Sequence, residues 1–211
     1  MVIYTEKQLS IINVAEKLFA EKGFHGTSVR DISLEADVNV AMISYYFGSK
    51  DKLLEAIMKQ KMQASKDVVE GLLKNETLAP LEKVYRLIDN FVDKVFDNQR
   101  LHCIMVREQL NREGDTVVRN MIAENKKEVS DLIRELIMEG QRNGDFNKDV
   151  DMLMMGTTLF GTLNHAVSGQ DFHRRLAGLE GMPAEEFKAY LSKRLSNHLK
   201  KVFKAILTHE L

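Results

Sequence analysis

Gly23-Phe24-His25-Gly26-Thr27-Ser28-Val29-Arg30-Asp31-Ile32-Ser33-Leu34-Glu35-Ala36-Asp37-Val38-Asn39-Val40-Ala41-Met42-Ile43-Ser44-Tyr45-Tyr46-Phe47-Gly48-Ser49-Lys50 is the stretch on which the reading of this chain turns. Either hydroxyl of Thr27-Ser28 can cap a short helix, and Asp31 suits that helix's positive end. Val29, Ile32 and Ala36 share one of its faces. After Asp37-Val38, Asn39 is a good cap for another short helix, on which Val40, Ile43 and Phe47 repeat at helical spacing. Helices this short do not persist without tertiary packing, so they must belong to one small unit.

The residues before this stretch supply the third member. Ile11, Val14, Ala15, Leu18 and Phe19 follow the stripe of an amphipathic helix from about Thr5 to Glu21. Thr5 and Gln8 make a capping box, and Gly23 is a plausible stop. Beyond Gly48, Ser49 can cap a longer helix carrying Leu53, Leu54, Ile57 and Met58 and reaching the Gly71 to Lys74 region. Pro80 stands near a new start, followed by the stripe Leu81, Val84, Leu87, Ile88, Phe91, Val92 and Val95. Further helices are predicted from His102 to Asn111 and from Val117 to Arg142, separated by a break at Glu113-Gly114-Asp115. Two more follow, from Asp149 to about Gly169 and from Ala184 to His209, with a looser segment between them.

Composition agrees with an all-α chain. Its 211 residues include only 2 Pro and 12 Gly against 11 Met, and 44% are hydrophobic. Unbranched side chains favour long helices. One cysteine, Cys103, excludes an intramolecular disulfide and suits a reducing compartment. The amino end lacks the apolar run of a signal peptide, which makes a cytoplasmic protein the expectation. Between Asp151 and Asp171 lie 19 residues without formal charge. Thr157, Thr158, Thr162, Asn164, His165, Ser168 and Gln170 interrupt them, so a helix buried among helices is expected and no membrane partner.

Enzyme signatures are missing. There is no G-x-S-x-G elbow, no H-E-x-x-H and no paired cysteine spacing. Gly48-Ser49-Lys50 lacks the preceding glycine and strand of a phosphate loop. The six histidines show no i, i+4 pair suited to a metal. His102 beside Cys103 is poor ligand geometry, because adjacent helical residues point about 100° apart. No cofactor, no metal site and no catalytic residue is expected.

Residues 28–36, the turn, and residues 39–47 fit a helix-turn-helix, with Val40, Ile43 and Phe47 inward against Val29, Ile32 and Phe19. A helix held this way can lay its amino-terminal residues in a major groove. The run from Gly23 to Ile32, through Ala36-Asp37-Val38 to Ser44-Tyr45-Tyr46-Phe47-Gly48-Ser49-Lys50-Asp51-Lys52-Leu53-Leu54, resembles the DNA-binding domain of the TetR family over roughly residues 5–55. That resemblance implies a three-helix head over residues 1–50 and a helical effector-binding and dimerisation body over 51–211. It implies that Thr27, Ser28 and Arg30 meet the phosphate backbone, Arg30 with reach to a base. Asn39, Val40, Ala41 and Met42 match the base-reading start of the recognition helix. Ser44 and Tyr45 fall where the family commonly has a tyrosine followed by histidine or tyrosine, and Lys50 matches a phosphate-gripping lysine.

Two departures stand out. Asp37 occupies the usual glycine of the turn, and aspartate tolerates left-handed geometry better than most residues. Ser44 removes an aromatic hydroxyl. Acids slightly outnumber bases over residues 1–52, whereas a nucleic-acid domain ordinarily shows a basic footprint. Phosphates are also held by hydroxyls, backbone N–H groups and helix amino termini. Weak nonspecific binding with a shallow salt dependence is the expectation.

For the body, the resemblance implies a homodimer through the last two helices, a palindromic double-stranded DNA operator and an apolar effector pocket. Gly156, Thr157, Gly161 and Thr162 permit close approach of another helix, from a twofold mate or from the same chain. Phe91, Val95, His102, Met105, Phe160 and Asn164 are the candidate pocket lining, with ordinary core as the alternative. Asn164 and His165 need partners if buried, a ligand or another side chain. The expected protein is a transcriptional regulator, a repressor released by a small-molecule effector of unknown identity. The alternative is a DNA-binding regulator governed by a protein partner or by oxidation of Cys103.

Overall fold

The structure, a computed structural model, describes residues 4–110 and 116–208. Ten helices follow one another: α1 (Glu6–Lys22), α2 (Val29–Glu35), α3 (Val40–Phe47), α4 (Lys50–Leu73), α5 (Pro80–Asp97), α6 (Gln99–Leu110), α7 (Thr116–Asn143), α8 (Met152–Ser168), α9 (Gln170–Leu176) and α10 (Ala184–Thr208). No strand occurs among the described residues. The expected break at Glu113-Gly114-Asp115 and the helix ends at Asn111 and His209 lie outside the described residues.

The chain forms two compact units, and they do not divide at residue 50. The first comprises residues 1–67 and 99–128, the second residues 68–98 and 129–211. Helices α4 and α7 therefore contribute to both. In the first unit α1 packs on α2 and α6, and α2 on α3. Ile11, Leu18 and Phe19 meet Ile32 of α2, Ile43 of α3, Leu53 and Ile57 of α4, Ile104 of α6 and Ile122 of α7 in one core. The Thr5–Gln8 capping box starts α1, and Gly23 ends it at φ 80°.

In the second unit α5 packs against α10 and α8. Pro80 at the first turn of α5 fixes φ where an N–H would be unpartnered anyway. Val84, Leu87, Ile88 and Phe91 then meet Leu195, Leu199 and Phe203 of α10. Helix α8 buries Met155, Leu159, Leu163 and Ala166 along one stripe. No described helix is long and apolar enough to cross a membrane. Helix α9 was not foreseen: it is seven residues long, lacks a side-chain cap and has no buried residue.

A charged pair and a turn hold this unit's helices in register. Lys83 is 1% exposed, and its ammonium donates to both carboxylate oxygens of Glu139 at 2.8 and 2.9 Å and to the Leu73 carbonyl at 3.4 Å. At the end of α7, the Asp145 and Phe146 amides both donate to the Gly140 carbonyl. The Phe146 ring lies where a Cβ on Gly140 would stand, 2.2 Å away. Asn147 next reaches α10: its backbone N–H donates to the Leu207 carbonyl at 2.7 Å, and its side-chain amide to the Ile206 carbonyl at 3.1 Å.

Removing one member of a buried pair leaves the other charge uncompensated, and the cost rises with the burial of the one that remains. Glu139→Leu strands the Lys83 ammonium and is expected to lower stability by about 3 kcal/mol. Lys83→Met leaves only Glu139, which is 30% exposed and reachable by solvent, and is expected to cost about 1 kcal/mol. Urea unfolding of both variants checks the order.

Candidate nucleic-acid interface

The loop entering α2 is fixed from three sides. Ser28 is the cap: its hydroxyl accepts from the Asp31 N–H at 3.1 Å, while an Asp31 carboxylate oxygen accepts from the Ser28 N–H at 2.8 Å and hydroxyl at 2.6 Å. These bonds favour the ionised carboxylate and hold Asp31 below its ordinary value of 3.8. The Thr27 hydroxyl points inward and donates to the carbonyls of Leu18 at 3.1 Å and Gly23 at 2.9 Å, with the side chain 1% exposed. Lys50, on the first turn of α4, donates to the carbonyls of Phe24 at 2.8 Å and Thr27 at 2.9 Å.

The turn between α2 and α3 is shaped by Asp37, whose φ of 52° is left-handed. The Val38 N–H then donates to the Ser33 carbonyl at 3.0 Å. Asn39 caps α3, its side-chain oxygen accepting from the Ala41 N–H at 2.9 Å. Ile43 is buried in the core, while Ala41, Ser44 and Tyr45 lie together on the outward face at i, i+3 and i+4. Tyr45 is 84% exposed. Met42 is half-buried. Val40, expected on the inner face, is 39% exposed and joins Asn39 and Ala41 at the accessible amino end. Only Ile43 closes the inner face fully, with Tyr46 and Phe47 half-buried beside it.

Charge is partly consumed inside the head. Glu35 takes Lys17 at 2.6 Å, tying α2 to α1, and Glu16 takes Lys61 of α4 at 3.4 Å. Glu16 interrupts the apolar face of α1 between Ala15 and Leu18, which is the one sequence signal that it needed a partner. Arg30 is exposed and has no ion pair among the described residues. The outer surface of the head includes Arg30, the capped start of α2 and the outward face of α3, along with exposed Lys7, Lys22 and Lys52 and the acids Glu6, Glu21, Asp37 and Asp51.

The six candidate pocket residues fall in different units. Phe91 and Phe160 meet edge to face at 5.5 Å between centroids, in the unit that also holds Val95 and Asn164. His102 and Met105 belong to the other unit, where Met105 packs on the core. Asn164 and His165 are exposed. Within the second unit lies a cleft of about 660 Å³ floored by Lys83 and Glu139 and walled by Glu135, Arg142, Leu73 and Leu132. Its lining is charged, and none of the six borders it. Cys103 is exposed. Among the described residues no group of three or more His, Cys, Asp and Glu side chains is arranged to hold a metal ion.

A capped pair of short helices with a left-handed turn and a solvent-facing second helix is a helix-turn-helix. The family described as "Bacterial regulatory proteins, tetR family" matches residues 11–57, and "Tetracyclin repressor-like, C-terminal domain" matches residues 80–193. The chain belongs to the TetR family of transcriptional regulators.

It is 30% identical over 137 residues to the Bacillus subtilis protein named "Probable HTH-type transcriptional regulator YttP". That match covers 64% of this chain and 65% of the relative, just under two thirds of its length. It is 26% identical over 162 residues to the fatty acid metabolism regulator protein of the same organism, covering 77% and 82% of the two chains. The crystal structure of the transcriptional regulator FadR from Bacillus subtilis, in complex with stearoyl-CoA, superposes with a TM-score of 0.66 at 23% identity. That superposition covers 90% of this chain and 96% of the other.

The Ser28–Asp31 box is open to a direct check. The Asp31 carboxyl, followed by NMR, is expected to titrate below 3.8 and to return toward it in Ser28→Ala. Because the folded value is depressed, the contribution of the box is present above the ordinary carboxylate value and lost as pH falls through the folded one.

Proposed function

We propose that this protein binds a palindromic operator as a homodimer, represses transcription from it, and is released by a small molecule. The observation that carries the reading is the outward face of α3: Asn39, Val40, Ala41, Ser44 and Tyr45 are exposed while Ile43 anchors the helix from behind. In this reading Asn39, Val40, Ala41 and Met42 read base edges, Ser44 and Tyr45 contact sugar and phosphate, and Arg30 with the Ser28-capped end of α2 holds the backbone. The Thr27 hydroxyl, already bonded inward, contributes by shaping that end.

A second copy is supported by the outer face of α8. Leu153 is 73% exposed, Met154 51% and Phe160 36%. At Gly156 and Gly161 an added Cβ would meet nothing within 4 Å. An apolar face with small residues suits a helix of a twofold mate, and α8 with α10 would make a four-helix seam. Twofold symmetry matches a pseudopalindromic site with half-sites about 34–36 Å apart.

The first effector class to test is a long-chain acyl thioester. The relative named as a fatty acid metabolism regulator and the stearoyl-CoA complex support it. Effector binding in the body would displace α4 and so change the pose of the recognition helices, a coupling between two sites.

Selection of bound sequences from random duplex DNA is the test. An inverted repeat is expected; no enrichment from folded protein at low salt would overturn the reading. On the recovered operator, Tyr45→Ala is expected to lower affinity about tenfold with thermal stability unchanged. The salt dependence is expected to be shallow, since few cations face outward. Stearoyl-CoA is expected to release the operator in an anisotropy titration.

A further inference from the structure

The Lys50 ammonium is already engaged. It donates to two main-chain carbonyls, those of Phe24 and Thr27, and stands 4.2 Å from the centroid of the Phe24 ring. The ring itself is buried, 6% exposed, and packs against Phe19 at 5.3 Å. Two of the three ammonium donors therefore serve carbonyls, and the cation also lies over an aromatic face. Gripping a phosphate would cost those contacts.

The two carbonyls belong to one tight turn. A Cβ on Gly26 would come 2.4 Å from the Lys22 carbonyl oxygen, and the Thr27 N–H donates to the Phe24 carbonyl at 3.3 Å. The next residue, Ser28, is the cap of α2. A cation on the first turn of α4 thus holds both ends of the turn that sets where α2 begins, and α2 carries α3 with it through Ile32 and Ile43.

We propose that Lys50 is a positioning residue: it latches the start of α4 to the Phe24–Thr27 turn and so sets the pose of the helix-turn-helix, without acting as a phosphate ligand. This rests on the operator-binding reading above. Displacement of the first turn of α4 is passed to the reading head through the ammonium and its two carbonyls.

The test compares wild type, Lys50→Met, Lys50→Arg and Lys52→Met on the selected operator between about 50 and 200 mM salt. Lys52 lies two residues along the same helix and pairs with Glu55 instead. Lys50→Met is expected to weaken binding about tenfold with an unchanged slope of log affinity against log salt. Lys50→Arg, which retains charge and donors, is expected to recover most of the loss. A slope shallower by roughly 0.9 in Lys50→Met marks a lost phosphate contact and overturns the proposal. Wild-type affinity in Lys50→Met overturns it equally.

Hydrogen exchange on the DNA-free protein supplies an independent arm. The Thr27 and Ser28 amides are expected to exchange about tenfold faster in Lys50→Met and at the wild-type rate in Lys52→Met. Unchanged exchange in Lys50→Met overturns the latch. If wild type selects no DNA, the regulator reading fails while this arm still decides the latch. Should Lys50→Met not fold, Phe24→Leu removes the ring beneath the ammonium, and a smaller loss of affinity at constant slope is expected; a wild-type affinity or a shallower slope there overturns the proposal.

Discussion

Helices of seven and eight residues are far below the length that is stable alone in water, about 12–15 residues even for good sequences. Helices α2 and α3 exist only because Ile32 and Ile43 are withdrawn from water into a core built by α1 and α4. Burying a side chain of that size contributes roughly 1.5–3 kcal/mol. Each helix also has its first N–H groups satisfied by a cap, Ser28 for one and Asn39 for the other, a contribution of about 1 kcal/mol apiece. The exposed face of α3 is therefore as rigid as the residues behind it. A polar replacement of Ile43 would remove the outward face of α3 without touching any residue on it.

The polar groups of the head are divided between inner and outer work. Glu16, Glu35, Lys17, Lys61, Thr27 and Lys50 all face protein partners. Those pairings take bases and acids of the head in equal number, so its slight excess of acids persists among the groups that remain. What remains outward is Arg30, the exposed charges of both signs at Glu6, Lys7, Glu21, Lys22, Asp37, Asp51 and Lys52, and the hydroxyls, amide and helix ends of α2 and α3. Groups of this kind hold DNA by direction and reach more than by bulk positive potential, and the head lacks the basic stripe that nucleic-acid domains ordinarily show.

Legibility in the sequence followed locality. Features that act within one turn of chain could be read: the Thr5–Gln8 box, the left-handed Asp37, the Asn39 cap on Ala41 and Pro80 at the start of α5. The stripe of α5 was equally plain. Val40 carried two expectations, inner face and accessible amino end, and its exposure matches only the second: one valine at helical spacing does not say whether the first turn is tucked in or projects. Helix α9 had neither cap nor buried face to announce it. The Lys83–Glu139 pair joins positions far apart in sequence, and no spacing rule connects them. The expected pocket illustrates the same limit: Met and Phe at helical spacing look alike whether they line a cavity or fill a core.

The stitching of Asn147 to the carbonyls of Ile206 and Leu207 bears on the far end of α10. Terminal helical carbonyls ordinarily have only water to accept from and the last turn frays. Here two of them receive N–H groups from the turn after α7, so the helix is tied down at its exit. A fluorophore placed on the last turn of α10 would begin from a fixed anchor. It would report the motion of the body itself, with little wobble contributed by its own attachment point.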